Sequence, residues 1–172
     1  RPVVDTEFHF MANDFTVQTC VKLNDTSREQ IMMEQWNEMS GPGWTFAARP
    51  SGGNDFRFIG IGTPGNVARG DRGDGNVGDP TAWNHIVMRR EGPLMDYFLN
   101  GTKIASANSS RDEDDVSTNS INVSTAPLLI GKRTNEDGRG FGFNGMLDET
   151  AIWSRGISDV EVAMLYNGGA GQ

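Results

Sequence analysis

Cysteine is almost missing from this 172-residue chain: Cys20 stands alone, so no internal disulfide can staple the fold. There are two histidines, His9 and His85, too few for a zinc or iron centre built on several imidazoles. No apolar run comes near the ~20 residues that span a bilayer. Basic charge is scarce, with 15 Lys and Arg against 23 Asp and Glu and a net charge of −8. That field repels phosphate backbones and anionic lipid, which argues against nucleic acid and membrane insertion. No repeat with a period of roughly 20–50 residues is visible either, which sets aside solenoids and propellers. What remains is a chain long enough to bury about 70% of its unfolded surface in one core. It starts at Arg1 with neither an initiator Met nor an apolar leader. The expectation is a single domain over residues 1–172, cut from a longer protein that contributes neighbouring domains.

Glycine is plentiful, at 22 residues, and it alternates with Asn, Asp, Ser and Thr between short apolar runs. Such punctuation suits an all-β chain with many turns. In Phe15–Leu23, Phe15, Val17, Thr19 and Val21 alternate with Thr16, Gln18, Cys20 and Lys22. Cys20 reads as a buried, inert thiol. Segments 44–49 and 56–61 also alternate, placing Trp44, Phe46, Phe56 and Phe58 on a core face and Thr45, Arg49, Arg57 and Ile59 on the other. Further strands are expected at 83–89, 97–99, 102–105, 127–131 and 146–153. Asn100-Gly101 predicts a type I′ hairpin turn, because both central residues need positive φ. Residues 62–80 and 106–120 read as loops. Segment 27–39 is ambiguous: its Glu, Gln and Met favour helix, whereas its polar flanks suit a strand. A single helix is expected from Asp159 to Gly168. Ser158 and Glu161 form its capping box, Ile157 can staple onto Val162, and Val160, Ala163 and Leu165 are its packing face.

Taken in order, Asp14-Phe-Thr-Val17, Trp83-Asn-His85, Leu99-Asn-Gly101, Leu128-Leu-Ile-Gly131, Phe143-Asn-Gly-Met-Leu-Asp-Glu149, Ile152-Trp153 and the closing 157–166 segment resemble the laminin G-like, concanavalin A-like jelly-roll family. Cys20 departs from it, standing where the family often has Trp. The resemblance implies an antiparallel β-sandwich with one short C-terminal helix, makes Gln30–Trp36 a strand and makes His85 a structural position. It also implies an extracellular or cell-surface setting and a carbohydrate-binding role.

The fold hosts glycosidases and lyases too, so catalysis is judged on residues. No strand offers two carboxylates at the i and i+4 spacing a retaining glycosidase needs, and the adjacent Asp148 and Glu149 face opposite sides. The expectation is a non-catalytic domain that binds a polysaccharide or glycan. Its candidate ligand residues are Glu34, Trp36, Trp44, Arg49 and Arg57, Trp44 being ambiguous between core and ligand platform because it follows a Gly-Pro-Gly turn. Twelve Arg against three Lys suits recognition of acidic sugars, because the planar guanidinium fork matches carboxylate or sulfate. Trp83 and Trp153 are expected in the core. A protein–protein adhesion module, or a structural domain of a larger enzyme or fibre without its own ligand, stays open as the alternative. The family likeness implies a structural calcium at Asp148, against the plainer reading of an Asp bonded by turn amides. Asp71 and Asp74 are a second calcium candidate, in a segment that departs from EF-hand spacing. That segment also holds Arg69-Gly-Asp71 and Arg72-Gly-Asp74, tripeptides of little specificity. The four Asn-x-Ser/Thr sequences, at Asn24, Asn100, Asn108 and Asn122, are what chance yields in a chain rich in those residues.

Overall fold

The computed structural model describes residues 8–36, 42–50, 55–61, 67–71, 79–92, 94–106, 124–133 and 141–169. Ten strands occur among them. They are β1 Phe15–Leu23, β2 Gln30–Trp36, β3 Gly43–Arg49, β4 Asp55–Ile61, β5 Val67–Asp71, β6 Asn84–Glu91, β7 Leu94–Leu99, β8 Thr102–Ser106, β9 Leu129–Ile130 and β10 Gly145–Trp153. The helix α1 spans Asp159–Tyr166. The strands form two five-stranded antiparallel sheets, ordered β10-β1-β6-β7-β8 and β5-β4-β3-β2-β9. This is the sandwich with one short helix that the sequence predicts.

Alternation puts one face of each sheet into a common core. Phe15, Val17, Val21, Ile86, Met88 and Tyr97 come from the first sheet, and Met33, Trp44, Phe46 and Phe58 from the second. Phe15 stacks on Phe10 at 3.8 Å and meets Phe58 at 5.3 Å, so aromatic contacts tie the two layers. Each such side chain contributes about 1.5–3 kcal/mol on burial. The other face of the first sheet is closed by α1: Val87 and Phe98 pack on Ile157 and Val162, with Trp153 and Leu165 beside them. Arg89 fastens the same seam, bonding Asp96, Asp159 and the Ile157 carbonyl. The Ser158–Glu161 capping box forms, and Asn100 and Gly101 adopt φ of 50° and 76°.

Several details differ from the expectation. A strand, β5, lies within 62–80, because pairing to β4 outweighs its Gly and Asp content. Trp83 sits one residue before β6 and is 47% exposed rather than core. Trp153 packs on the helix seam instead of between the sheets. Val160 points to solvent, so Val162 and Leu165 make the helix contact. Residues 107–120 of the expected loop at 106–120 lie outside the described residues, as does Asp74.

Candidate functional site

The face of the second sheet that turns away from the core gathers most of the residues singled out for ligand binding. Its composition follows from the pleat. In β3, Trp44, Phe46 and Ala48 belong to the core, which sends Thr45, Ala47 and Arg49 outward. In β4, Phe56 and Phe58 point inward and Arg57 outward. A register shift between Ile31 and Met33 lets Met32 and Met33 both reach the core, after which Glu34 and Trp36 share the outer face with Thr45.

Arg57 stands opposite Ala47, with Arg49 two residues further along β3, so the two guanidiniums are diagonal neighbours across a small side chain. Glu29, one residue before β2, joins them: its Oε2 lies 3.5 Å from Arg49 Nε and 3.3 Å from Arg57 Nη1. The side chains are 19%, 13% and 22% exposed for Arg49, Arg57 and Glu29, which makes them reachable yet largely desolvated. Further along the face Arg133 lies 3.9 Å from Glu34, with its guanidinium 5.5 Å from the Trp36 ring and 4.7 Å from that of Phe141. Thr45 stands opposite Glu34, and its buried Oγ1 has no hydrogen-bond partner among the described residues.

The structure thus brings Glu34, Trp36, Arg49 and Arg57 to one face, although Glu34 and Trp36 are 1% and 7% exposed and form its floor more than an open platform. Trp44 is a correction. It shares the parity of Phe46, is 1% exposed, donates from Nε1 to the Phe8 carbonyl and stacks on Phe58, so it is a core residue. Glu29, Arg133 and Phe141 were not singled out in the sequence. Glu29 precedes its strand, and the other two lie between β9 and β10 outside any alternating run, where periodicity gives no signal.

Of the residues expected to hold calcium, Asp148 lies in β10 and Asp71 ends β5, while Asp74 lies outside the described residues. Among the described residues no three His, Cys, Asp or Glu side chains converge. Asp148 is exposed and accepts through Oδ1 from the Glu149 N–H at 2.9 Å. Asp71 closes β5 in register with the cationic Arg57. Arg69-Gly-Asp71 is therefore strand rather than loop, paired along β4. Cys20 is partly buried, and its thiol pKa is pushed up by burial and by Glu149 and Asp148, which suits an unreactive role. A cavity of about 260 Å³ opens beside α1, lined by Trp153, Arg155, Ile157, Glu161, Met164 and Leu165. Its polar groups are occupied by the Arg155–Glu161 pair and the helix cap.

Known structures share this frame at low identity. A Bacteroides ovatus protein with a provisional assignment as a carbohydrate binding protein superposes with a TM-score of 0.62 at 13% identity, covering 89% of this chain and 40% of that one. The CBM40 of a Ruminococcus gnavus IT-sialidase, bound to α2,3-sialyllactose, gives 0.64 at 12% identity over 91% of this chain and 84% of its own. The binding domain of botulinum neurotoxin serotype D gives 0.60 at 17% identity, over 91% of this chain and 36% of that one. No curated protein shows significant sequence similarity to the chain. The family model that matches residues 3–163 is the concanavalin A-like lectin/glucanases superfamily, and the chain belongs to it.

Proposed function

We propose that the chain is a non-catalytic carbohydrate-binding module, accessory to a larger protein, and that a glycan lies across the outer face of β2, β3 and β4. The observation that carries this reading is the Arg49–Glu29–Arg57 group: planar donors and a planar acceptor, side by side and partly exposed. Sugar hydroxyls come in neighbouring pairs that both donate and accept. A guanidinium offers only donors and a carboxylate only acceptors, so the two together match such a pair. Arg49 and Arg57 lie on strands, which hold a constellation more rigidly than loops.

Carbohydrate-binding neighbours of the same fold support the reading, although at 12–13% identity the likeness is one of fold and carries no ligand across. Against hydrolysis, a glycosidase needs two carboxyl groups free to flank the scissile bond. Here Glu29 is engaged by two guanidiniums, and Glu34 is buried beside Arg133. A glycan array tests the proposal. The wild-type chain should bind a discrete set of glycans, and the Arg49→Ala/Arg57→Ala double variant should lose them. A flat wild-type profile would contradict it and favour an adhesion or spacer role.

A further inference from the structure

We propose that Arg133 and Thr45 form a second sugar-binding position on this face, so that the site takes an oligosaccharide and not a single sugar ring. The proposal rests on the carbohydrate-binding reading above and names the size of ligand that reading leaves open.

Local backbone geometry brings Arg133 to the sheet. β9 pairs with β2 through Leu129 and Ile130, and Gly131 then turns the chain with a φ of 69°, a left-handed conformation that suits glycine. Its N–H donates to the Met32 carbonyl at 2.8 Å, and its carbonyl accepts from Phe143. Phe141 is fixed in the same way, its carbonyl accepting from the Ile31 N–H at 3.0 Å. The Arg133 guanidinium is held by the rings it meets, 5.5 Å from Trp36 and 4.7 Å from Phe141. Hydrogen bonding does not hold it. Its Nε is 3.9 Å from Glu34 Oε2, beyond bonding distance, and the guanidinium makes no hydrogen bond among the described residues. Five N–H donors on a side chain only 11% exposed thus remain without an acceptor there.

Thr45 is the second observation. It is 1% exposed, stands opposite the same Glu34, and its Oγ1 has no hydrogen-bond partner among the described residues. Burying a hydroxyl without a partner costs stability, and a native fold carries few such groups. Here two side chains lacking partners flank one carboxylate. A group that completes them must accept from a guanidinium and exchange a hydrogen bond with a hydroxyl. An alcohol does both, and a sugar ring offers several on neighbouring carbons.

The register sets the size. Thr45 and Arg49 are four residues apart on β3, about 13 Å along the strand. One ring cannot touch the Arg49–Arg57 group and Arg133 together, so a ligand that uses both positions is a chain of sugars.

Oligosaccharides of graded length, from monosaccharide to hexasaccharide, prepared from laminarin, galactomannan, xyloglucan and alginate, test the proposal by titration. The proteins compared are the wild-type chain, Arg133→Met, which keeps the stem that packs on the rings but removes the N–H donors, and Thr45→Val. Wild-type affinity for at least one series should climb with length and level off only beyond the disaccharide. Arg133→Met should weaken binding of the long oligomers about tenfold, the loss of one charged hydrogen bond, and leave disaccharide binding unchanged. Thr45→Val should weaken the same long oligomers while raising the melting temperature, a combination that a purely structural hydroxyl does not give. Affinity independent of length would overturn the proposal and leave the carbohydrate-binding reading standing. So would an Arg133→Met loss equal at every length, or long-oligomer binding untouched by both variants. Binding of no oligomer from any of the four polymers would overturn the proposal and the reading together.

Discussion

His85 and Gln18 are joined across β6 and β1, with His85 Nε2 bonded to Gln18 Oε1 at 2.9 Å in a place where the ring is 3% exposed. Gln18 Nε2 donates in turn to the Glu149 carbonyl, so its Oε1 can only accept and His85 carries its proton on Nε2. Nδ1 is buried without a hydrogen-bond partner among the described residues, and the ring stacks against Tyr166. Cys20, opposite His85 in register, and Asp148, opposite Cys20, complete the surroundings.

That burial pulls the His85 pKa down to about 4 from an ordinary 6.5. In the window between those values the unfolded chain binds a proton that the folded chain refuses, so stability falls as pH falls from 6.5 towards 4. Glu161 acts lower. The Arg155 side chain, with the Ser158 amide and hydroxyl, holds its pKa at about 2, so its contribution is lost only as pH drops from about 4.5 towards 2. Urea denaturation from pH 7 to 4 should show a slope that His85→Gln removes. Equal slopes in the two proteins would mean that the ring titrates freely in the fold.

The helix cap gives a second prediction. Ser158 Oγ accepts from the Glu161 N–H while the Glu161 carboxylate accepts from the Ser158 N–H, and α1 has only eight residues. Ser158→Ala should cost about 1 kcal/mol, seen as a lower urea midpoint at unchanged slope. An unaltered midpoint would show that Val162 and Leu165 packing alone holds the helix.

Trp44 and Thr45 are consecutive and should respond with opposite signs. Trp44→Ala empties the core beside Phe58 and Phe10 and should cost about 3–5 kcal/mol. Thr45→Val replaces a buried hydroxyl that has no partner with a methyl group, and should stabilise by about 1–2 kcal/mol. Thermal melts of both variants check the pleat directly; a destabilised Thr45→Val would mean that the hydroxyl is bonded on this face.

These adjacent residues also show how far the sequence could be read. Strict alternation was enough to place Phe46 and Phe58 inward and Arg49 and Arg57 outward, and capping and turn chemistry located α1 and the Asn100-Gly101 hairpin. Trp44 obeyed the same parity, but the preceding Gly-Pro-Gly turn made an exposed platform look equally reasonable. What escaped was set by tertiary context. β5 has Gly70 and Asp71 where strands prefer branched residues and exists through its ladder to β4. Trp83 is large and apolar but falls one residue short of β6. Glu29 and Arg133 lie outside regular elements and meet the face only after folding.

The central claim is that Arg49 and Arg57 hold a glycan on the outer face of the second sheet. It is tested most directly by titrating the best ligand from the array into the wild-type chain and into Arg49→Lys/Arg57→Lys, which keeps both charges but loses both planar forks. The account predicts a fall in affinity of roughly ten- to a hundredfold, with the melting temperature within a few degrees of wild type. Equal affinities for the two proteins would contradict it.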